Sequence, residues 1–277
     1  MLPDFYSMIL FPPSKLNLGL QIIAKRSDGF HDLQTVFYQF PLCDILEILK
    51  DDSLEAGTCQ FSSSGLSIPG GENLCELAYY LLAKDYKLPG VRIVLHKIIP
   101  MGAGLGGGSS DAVYTLKLLN QKFNLNINTV KLKEYALILG SDCPLFLANS
   151  PQYAQGRGEL LEEVVVDLSG MHLVVVNPRI HISTAEAFSN IQAREQYSCK
   201  EIVLSEISSW KANLKNDFEA SIFPYFPELM DLKSRLYDLG ATYAAMSGSG
   251  STMFGLFENN VDTDVFPEDY FVWQCKL

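Results

Sequence analysis

The sequence predicts an α+β protein made of two domains, with the boundary between residues 152 and 153. Strand-like and helical segments follow one another without the regular β-α alternation of a doubly wound sheet. The 277 residues are enough for two ordinary domains. Hydrophobic residues make up 48% of the chain, which predicts a substantial buried core. No linker is evident, so we expect domains 1–152 and 153–277 to pack closely.

The chain opens with two predicted strands joined by a turn. From residue 16 to 22, apolar residues alternate with polar residues or glycine, which predicts a half-buried strand. Lys15 and Asn17 are two residues apart and therefore lie on the same, polar face of this strand. An Asp-Gly turn at 28–29 leads into a second strand over 33–40.

A glycine-rich loop separates the next predicted strand from the helix that follows it. Residues 73–84 have helical spacing, and residues 91–99 are strand-like and run into the loop. Apolar residues from 112 to 119 then repeat at helical spacing. Ser109 or Ser110 is expected to cap this helix.

The rest of the chain predicts further helices and strands. Ser183 and Glu186 form a capping box that opens a short helix. A short motif, Ser141-Asp142-Cys143-Pro144, follows another helix. The other predicted elements are helices over 131–139 and 227–239 and strands over 173–176, 241–246 and 252–257, with a second glycine loop at 247–250.

The charge of the chain argues against some classes of partner. Lys and Arg total 21 against 32 Asp and Glu, a formal net charge of −11, which opposes binding to nucleic acid or an anionic membrane. No apolar run reaches the roughly 18 residues that span a bilayer. Residues 1–10 contain no Lys or Arg, and no cysteines form a C-x-x-C pair. We therefore expect a cytoplasmic protein, a monomer or weak homodimer, that binds small molecules.

The loop at 102–108 predicts a phosphate-binding site. It contains five glycines, which let the backbone approach a ligand closely, and the start of a helix favours an anion. It is not a Walker A loop, because Ser109 and not Lys follows Gly108. A G-x-G-x-x-G match at 102–107 is weak evidence for a dinucleotide site, since no acidic residue follows about 20 residues later.

These motifs resemble those of the GHMP kinases. The segment 100–110, PMGAGLGGGSS, is similar to the central P-x-x-x-G-L-G-S-S motif of that family. The segments 13–18 (PSKLNL) and 26–35 (RSDGFHDLQT) resemble the start of its 4-diphosphocytidyl-2-C-methyl-D-erythritol kinase branch. Further segments that resemble this branch lie at 139–144, 156–159, 183–188, 216–219 and 246–250.

The resemblance implies a fold and a reaction. The fold is the two-domain GHMP kinase fold, with an N-terminal ATP-binding domain like domain 2 of ribosomal protein S5 and a C-terminal ferredoxin-like α/β sandwich that completes the substrate site. The reaction is transfer of the γ-phosphate of ATP, with Mg²⁺, to the 2-hydroxyl of 4-diphosphocytidyl-2-C-methyl-D-erythritol. This step belongs to the non-mevalonate (methylerythritol phosphate) route to isoprenoid precursors.

The resemblance also implies two catalytic residues. Asp142 corresponds to the base that takes the proton of the alcohol, and Lys15 to its partner, which orients the carboxylate and the hydroxyl. From the local sequence alone, a helix cap is the favoured explanation of Asp142, and a solvated lysine at a strand start is the usual explanation of a residue like Lys15. Phosphoryl transfer depends mostly on positioning and on neutralising phosphate charge.

The remaining implied residues bind ligands. Phe30, where the family usually has Tyr, is expected to stack on cytosine, His31 to hydrogen-bond to it, and Phe188 to add a second ring. Asp111 either approaches Mg²⁺ through water or, as we prefer, is a favourable charge in the first helical turn. The implied substrate-binding residues are Asn17, Phe30, His31, Thr184 and Phe188, and the implied Mg²⁺ ligand is Ser110. The implied ATP-binding residues are Asn73, Lys97, Pro100, Met101, Gly102, Ala103, Gly104, Leu105, Gly106, Gly107, Gly108, Ser109 and Ser110.

Three other functions stay open at this point. A GHMP kinase that acts on homoserine or mevalonate would share the loop at 102–110 but not the aromatic residues Phe30 and Phe188. A non-catalytic ligand-binding member of the fold is disfavoured because Asp142 and Lys15 are both present. A nicotinamide dehydrogenase depends on the weak G-x-G-x-x-G match alone.

Overall fold

The computed structural model describes residues 8–68, 70, 73–189, 191, 193 and 197–277. The strands are β1 (Met8–Leu10), β2 (Pro13–Lys25), β3 (His31–Cys43), β4 (Ile45–Lys50), β5 (Cys59–Gly65), β6 (Val91–Lys97), β7 (Gln152–Gln155), β8 (Leu160–Glu163), β9 (His172–Asn177), β10 (Tyr243–Met246), β11 (Met253–Phe257) and β12 (Phe271–Lys276). The helices are α1 (Leu74–Ala83), α2 (Gly107–Lys122), α3 (Thr129–Leu139), α4 (Thr184–Ser189), α5 (Cys199–Val203), α6 (Trp210–Asn213), α7 (Asp217–Ile222) and α8 (Pro227–Asp238), with 3₁₀ turns at Cys143–Leu147 and Ile207–Ser209. This mixed order confirms the predicted α+β class.

The chain packs into two compact units that interleave along the sequence. Of the described residues, the first unit contains those from 8 to 14, Leu42–Met101 and Gly106–Ala148. The second contains Lys15–Pro41, Gly102–Leu105 and Asn149–Leu277. The single domain boundary expected between residues 152 and 153 stays a prediction.

The first unit consists of one sheet and the helices packed beside it. The strand order is β1-β4-β6-β5, in which β5 and β6 run parallel and the other pairs antiparallel. Helix α2 packs against α1 and α3. The predicted helix over 73–84 is confirmed as α1, and Asn73 caps it by accepting a hydrogen bond from the Cys75 N–H (2.8 Å).

The second unit contains two sheets. One has the order β2-β3-β7-β8, and the other is antiparallel with the order β10-β11-β9-β12. Leu20 and Ile22 of β2 share a buried core with Val174 and Val176 of β9, and α8 packs on β10 and β11. These contacts bring an early strand of the chain into a core built mainly from its second half.

Strand β2 differs from its prediction in burial. A half-buried strand was expected from residue 16 to 22, but every residue from Ser14 to Ile22 is buried. The polar side chains are accommodated because they hydrogen-bond inside the protein. The Asn17 Nδ2 donates to Thr35 (3.1 Å), and the Gln34 Nε2 donates to the Gln21 side chain (2.7 Å). The alternation of apolar and polar residues therefore predicted the position of the strand but not the burial of both of its faces.

Helix α2 begins earlier than the sequence predicts. Neither Ser109 nor Ser110 is its cap, because the helix starts at Gly107 and the preceding Gly106 has a positive φ of 73°. Glycine adopts this left-handed conformation at little cost, so the chain enters the helix directly from the loop. The capping box of α4 is confirmed: the Ser183 N–H donates to Glu186 (2.8 Å), and the Glu186 N–H donates to the Ser183 hydroxyl (3.2 Å).

Candidate active site

Lys15 is the centre of a buried polar cluster in the second unit. Its ammonium Nζ donates to the Asn17 Oδ1 at 2.6 Å and to the Gly104 carbonyl at 2.8 Å. Lys15 is only 3% exposed and Asn17 only 2%, so Lys15 is not the solvated lysine of the alternative interpretation. The structure thus brings together Lys15, Asn17 and Gly104 from the predicted site.

Gly104 can only be glycine in this arrangement. It has a φ of 78°, and a Cβ atom built on it would lie 1.9 Å from the Ser247 carbonyl oxygen. The Ser247 hydroxyl also donates to the Gly104 carbonyl at 2.9 Å. The two glycine loops, 102–105 and 247–250, therefore touch through backbone atoms, and Lys15 bonds to the same carbonyl.

The start of helix α2 offers backbone donors to an anion. The first N–H groups of a helix have no intrahelical acceptor, and its dipole favours negative charge there. The Ser110 N–H donates to the Gly106 carbonyl (2.9 Å). The Ser110 hydroxyl is fully buried and has no hydrogen-bond partner among the described residues. Donors and an unsatisfied hydroxyl are thus available at this helix end.

Lys97 lies in a buried cluster of charges close to this helix end. Its ammonium donates to Asp44 and to Asp111 (2.7 Å), and a Cβ built on Gly107 would lie 2.8 Å from the Lys97 Nζ. Asp44 also accepts from the Ile99 N–H (2.9 Å). These bonds fix the end of β6 against α2. The role of Lys97 in binding ATP stays a prediction.

The preferred interpretation of Asp111 is wrong. Asp111 is not in the first turn of α2, because the helix begins four residues earlier, and its carboxylate pairs with Lys97. Burial raises the pKa of Asp111 to about 7, with Lys97 opposing the rise and Asp44 adding to it. Burial also lowers the pKa of Lys97, but the two carboxylates outweigh it and leave the value raised.

A small cavity in the first unit lies beside three predicted ATP-binding residues. Its volume is about 140 Å³. The residues that line it are Ile68, Asn73, Leu74, Cys75, Leu95, Met101, Gly108 and Asp111. Its walls are mostly apolar with a few polar groups, as in small-molecule sites, but its volume is below the roughly 300 Å³ at which such sites usually begin. The structure therefore groups Asn73, Met101 and Gly108 around one cavity.

Asp142 precedes the 3₁₀ turn Cys143–Leu147 but does not cap it. In the part of the chain that the structure describes, its side chain makes no capping hydrogen bond, which removes the structural alternative for this residue. Burial raises the pKa of the neighbouring Cys143 thiol to about 12, so Cys143 is not a nucleophile at neutral pH. The pairing of Asp142 with Lys15 stays a prediction.

The aromatic residues of the predicted cytosine site are only partly grouped. The His31 and Phe188 rings stack with centroids 4.6 Å apart at an interplanar angle of 18°. Phe30 is instead 55% exposed, and the Arg157 guanidinium lies 4.9 Å from its ring centroid. Thr184 is the first residue of α4, but its side chain lies outside the described part of the structure.

Several residues of this arrangement were not predicted from the sequence. Thr35 and Ser247 complete the polar cluster around Lys15, and Asp44 completes the charge cluster around Lys97. The sequence did indicate the region of Ser247, since this residue is the first of the second glycine loop. Thr35 is the last residue of the segment 26–35 that resembles the family, but nothing in the sequence indicated its bond to Asn17, and nothing singled out Asp44.

Comparisons with known proteins identify the family. The GHMP kinases N terminal domain matches residues 73–149, and the GHMP kinases C terminal domain matches residues 200–264. A 4-diphosphocytidyl-2-C-methyl-D-erythritol kinase of Bacteroides fragilis (strain YCH46) is 51% identical over 254 residues, which cover 90% of this chain and 92% of that relative. The kinase of the same name from Bacteroides thetaiotaomicron is 46% identical, covering 91% of this chain and 92% of the relative.

Solved structures extend the similarity to the fold. A crystal structure of 4-(cytidine 5'-diphospho)-2C-methyl-D-erythritol kinase has a TM-score of 0.75 and 33% identity, and the match covers 90% of each chain. The mevalonate kinase of Methanococcus jannaschii has a TM-score of 0.68 over 99% of each chain at 16% identity, a likeness of fold alone. Among the described helices, none has the length and apolar character to cross a membrane. The chain belongs to the GHMP kinases and, within them, to the 4-diphosphocytidyl-2-C-methyl-D-erythritol kinase family.

Proposed function

We propose that this chain transfers the γ-phosphate of ATP to the 2-hydroxyl of 4-diphosphocytidyl-2-C-methyl-D-erythritol, a step of the methylerythritol phosphate route to isoprenoid precursors. The observation that carries the proposal is the 51% identity, over 90% of the chain, with a relative named as that kinase. The buried Lys15 cluster and the helix start at Gly107 supply groups that this reaction needs.

Asp142 is proposed to take the proton of the alcohol. The alcohol oxygen forms a bond to the γ-phosphorus, the bond from that phosphorus to the oxygen bridging to the β-phosphate breaks, and ADP leaves with the electron pair. The proton passes to the Asp142 carboxylate. A positioned base of this kind contributes about 10²- to 10⁴-fold in rate.

Lys15 is proposed to supply a fixed positive charge. Its bonds to Asn17 and Gly104 hold the ammonium in one position, so little reorganisation is needed when charge develops on the reacting oxygens. Burial strengthens its effect, because the charge is not screened by water.

The nucleotide is proposed to bind at the start of α2. The phosphates would lie against the backbone N–H groups of the first turn, with the adenine toward the cavity beside Asn73, Met101 and Gly108. The positive φ of Gly106 turns the chain so that the helix opens directly at the loop.

Ser110 is the residue proposed to hold Mg²⁺. Its hydroxyl fits, because oxygen is the donor that Mg²⁺ prefers and this buried atom lacks a partner among the described residues. When bound, Mg²⁺ neutralises phosphate charge. No group of three or more His, Cys, Asp or Glu side chains in the described residues could hold a metal, so phosphate oxygens and water would supply most of the ligands.

A coupled ATPase assay tests the proposed function. The purified protein is offered ATP and Mg²⁺ with 4-diphosphocytidyl-2-C-methyl-D-erythritol, homoserine, mevalonate or galactose in turn. We expect ATP consumption with the cytidine compound only. Turnover of homoserine or mevalonate without turnover of the cytidine compound would refute the substrate assignment. Lys15→Met is the control for contaminating kinases, since it keeps much of the side-chain stem and removes the charge.

The remaining partners are proposed on the basis of charge. The net charge of −11 disfavours nucleic acid and anionic membranes, and we propose that the chain works in the cytoplasm as a monomer or weak homodimer. Light scattering during size-exclusion chromatography measures the mass. A stable tetramer would contradict this proposal.

A further inference from the structure

The segment Asn216-Asp217-Phe218-Glu219 has no role in the function described so far. It forms the start of α7, and Asn216 caps that helix by accepting a hydrogen bond from the Phe218 N–H (3.0 Å). Asn216 and Phe218 are 2% and 3% exposed. A helix cap and a core phenylalanine would explain two of the four residues, but all four side chains contact the second glycine loop, strand β2 or the aromatic pair.

Asn216 holds the second glycine loop on both sides of Ser247. Its side-chain Nδ2 donates to the Met246 carbonyl at 2.7 Å and to the Gly248 carbonyl at 2.8 Å. Glu219 adds a third bond, because its carboxylate accepts from the Met246 N–H at 2.9 Å. Ser247 is therefore held between two backbone positions that this segment fixes.

Ser247 in turn contacts the cluster around Lys15. Its hydroxyl donates to the Gly104 carbonyl (2.9 Å), which also accepts from the Lys15 ammonium (2.8 Å). The strand that carries Lys15 is held from the same segment, since the Ile22 N–H donates to the Asp217 carboxylate at 2.8 Å. Two separate sets of hydrogen bonds therefore connect residues 216–219 to Lys15, one through the loop at Ser247 and one through strand β2.

Phe218 contacts the aromatic pair. Its ring meets the Phe188 ring edge to face, with centroids 4.8 Å apart at 90°, and Phe188 stacks on His31. Aromatic rings prefer this edge-to-face arrangement, so Phe218 favours the observed plane of the Phe188 ring. The orientation of the His31–Phe188 stack therefore depends on Phe218.

We propose that Asn216-Asp217-Phe218-Glu219 is a positioning motif. Asn216 holds the Lys15 ammonium in position through Ser247, and Phe218 holds the orientation of the His31 and Phe188 rings, which are proposed to receive the cytosine. The inference rests on the proposed function. None of the four residues is a catalytic residue. The two roles belong to different residues of the motif: the Asn216 amide supports the phosphoryl-transfer step, and the Phe218 ring supports recognition of the base.

Two substitutions separate these roles. Asn216→Ser keeps the helix cap, because Ser caps as well as Asn, but Ser is too short to reach the Met246 and Gly248 carbonyls. We expect kcat to fall about 10- to 100-fold, since small misplacements at a reacting centre cost up to about 10²-fold, with little change in the KM of the cytidine substrate. Phe218→Leu should raise that KM about 2- to 10-fold, the value of an edge-to-face ring contact, with kcat little changed.

Matched controls remove effects of stability. Asn213→Ser makes the same change at an exposed position, and Phe223→Leu makes the same change against the same core. Melting temperatures are measured on every variant. The positioning role would be refuted if kcat and KM changed in proportion to each other in both test variants, if these changes followed the melting temperature, and if the controls showed them too. Ser247→Ala, which removes the hydroxyl that donates to Gly104 and accepts from the Asn17 N–H, repeats the kcat test if Asn216→Ser does not fold.

A readout without turnover separates this inference from the proposed function. With isotope-labelled lysine side chains, the NMR signal of Lys15 should shift in Asn216→Ser and not in Asn213→Ser. If the signal shifts but the wild-type protein does not turn over the cytidine substrate, the proposed function fails and the positioning of Lys15 stands. If the wild-type protein is active and neither the Lys15 signal nor kcat changes, the positioning inference is wrong.

Discussion

At the scale of single residues, Asp142 offers the sharpest test. Its side chain does not cap the 3₁₀ turn that follows it, so substitution by Asn should cost little stability. We expect Asp142→Asn to lower kcat by about 10²-fold or more, because the base and its charge are lost, while both KM values change little. Steady-state kinetics and the melting temperature measure this. A near-normal kcat in Asp142→Asn would show that Asp142 is not the base.

Phe30 and His31 test the cytosine site. Phe30 is 55% exposed, so Phe30→Ala should hardly change the melting temperature. If its ring stacks on the base, the KM of the cytidine substrate should rise about 5- to 150-fold, the effect of losing about 1–3 kcal/mol of stacking. Phe30→Tyr is the matched control and should be nearly silent.

His31→Ala should weaken the same substrate selectively. The imidazole can hydrogen-bond to the edge of a base, whereas alanine cannot. The KM of ATP, measured on the same preparations, should stay constant for both alanine variants. Equal changes for ATP and the cytidine substrate would place the cytosine elsewhere.

At the scale of elements, the first turn of α2 distinguishes two adjacent glycines. A Cβ built on Gly108 meets only the Leu74 side chain, at 3.6 Å, whereas one built on Gly107 lies 2.8 Å from the Lys97 Nζ. Gly108→Ala should therefore keep or raise the melting temperature, because alanine in a helix is about 0.5–1 kcal/mol better than glycine. Its methyl group would lie beside the proposed phosphate-binding site. It should therefore raise the KM of ATP about tenfold, which corresponds to a loss of about 1.4 kcal/mol of binding free energy.

Gly107→Ala is the comparison for this test. It should lower the melting temperature, because the packing against Lys97 and Ile99 must shift. Unchanged ATP affinity in a calorimetric titration of Gly108→Ala would show that the phosphates lie elsewhere.

The Asp44–Lys97–Asp111 cluster predicts a dependence of stability on pH. Burial raises the pKa of Asp111 from 3.8 to about 7, so the folded state retains a proton that the unfolded chain releases. The stability that this group contributes is therefore present below the unfolded pKa of 3.8 and lost as the pH rises to about 7. Asp111→Asn cannot titrate, and the variant should gain stability relative to wild type across that window. Urea unfolding at a series of pH values measures the difference, and a constant difference would contradict the shift.

At the scale of the whole molecule, the interleaved units predict how fragments behave. Residues 153–277 lack Lys15–Pro41, which belong to the second unit, including the core residues Leu20 and Ile22. The fragment 153–277 should therefore show no cooperative unfolding transition by circular dichroism. The fragment 1–152 contains every segment of the first unit and is the matched comparison. A cooperative transition in 153–277 alone would support a true domain boundary at 152/153.

The class of fold, the main elements and the family could all be predicted from the amino-acid sequence. Local signals sufficed for these, because a cap, a turn or an apolar period acts within one or two turns of chain. The box at Ser183 and Glu186, the helix after Asn73 and the glycine loop before α2 were all visible in this way. The family resemblance then named candidate residues without showing their surroundings.

Which polar residues share a site became evident only from the folded chain. Lys15 bonds to a carbonyl 89 positions away, and Asn17 to a hydroxyl 230 positions away. The folded chain also shows that Lys97 pairs with Asp44 and Asp111 and that all of Ser14 to Ile22 is buried. Such contacts carry no local pattern, because they follow from the packing of whole elements, to which each residue contributes only a small part.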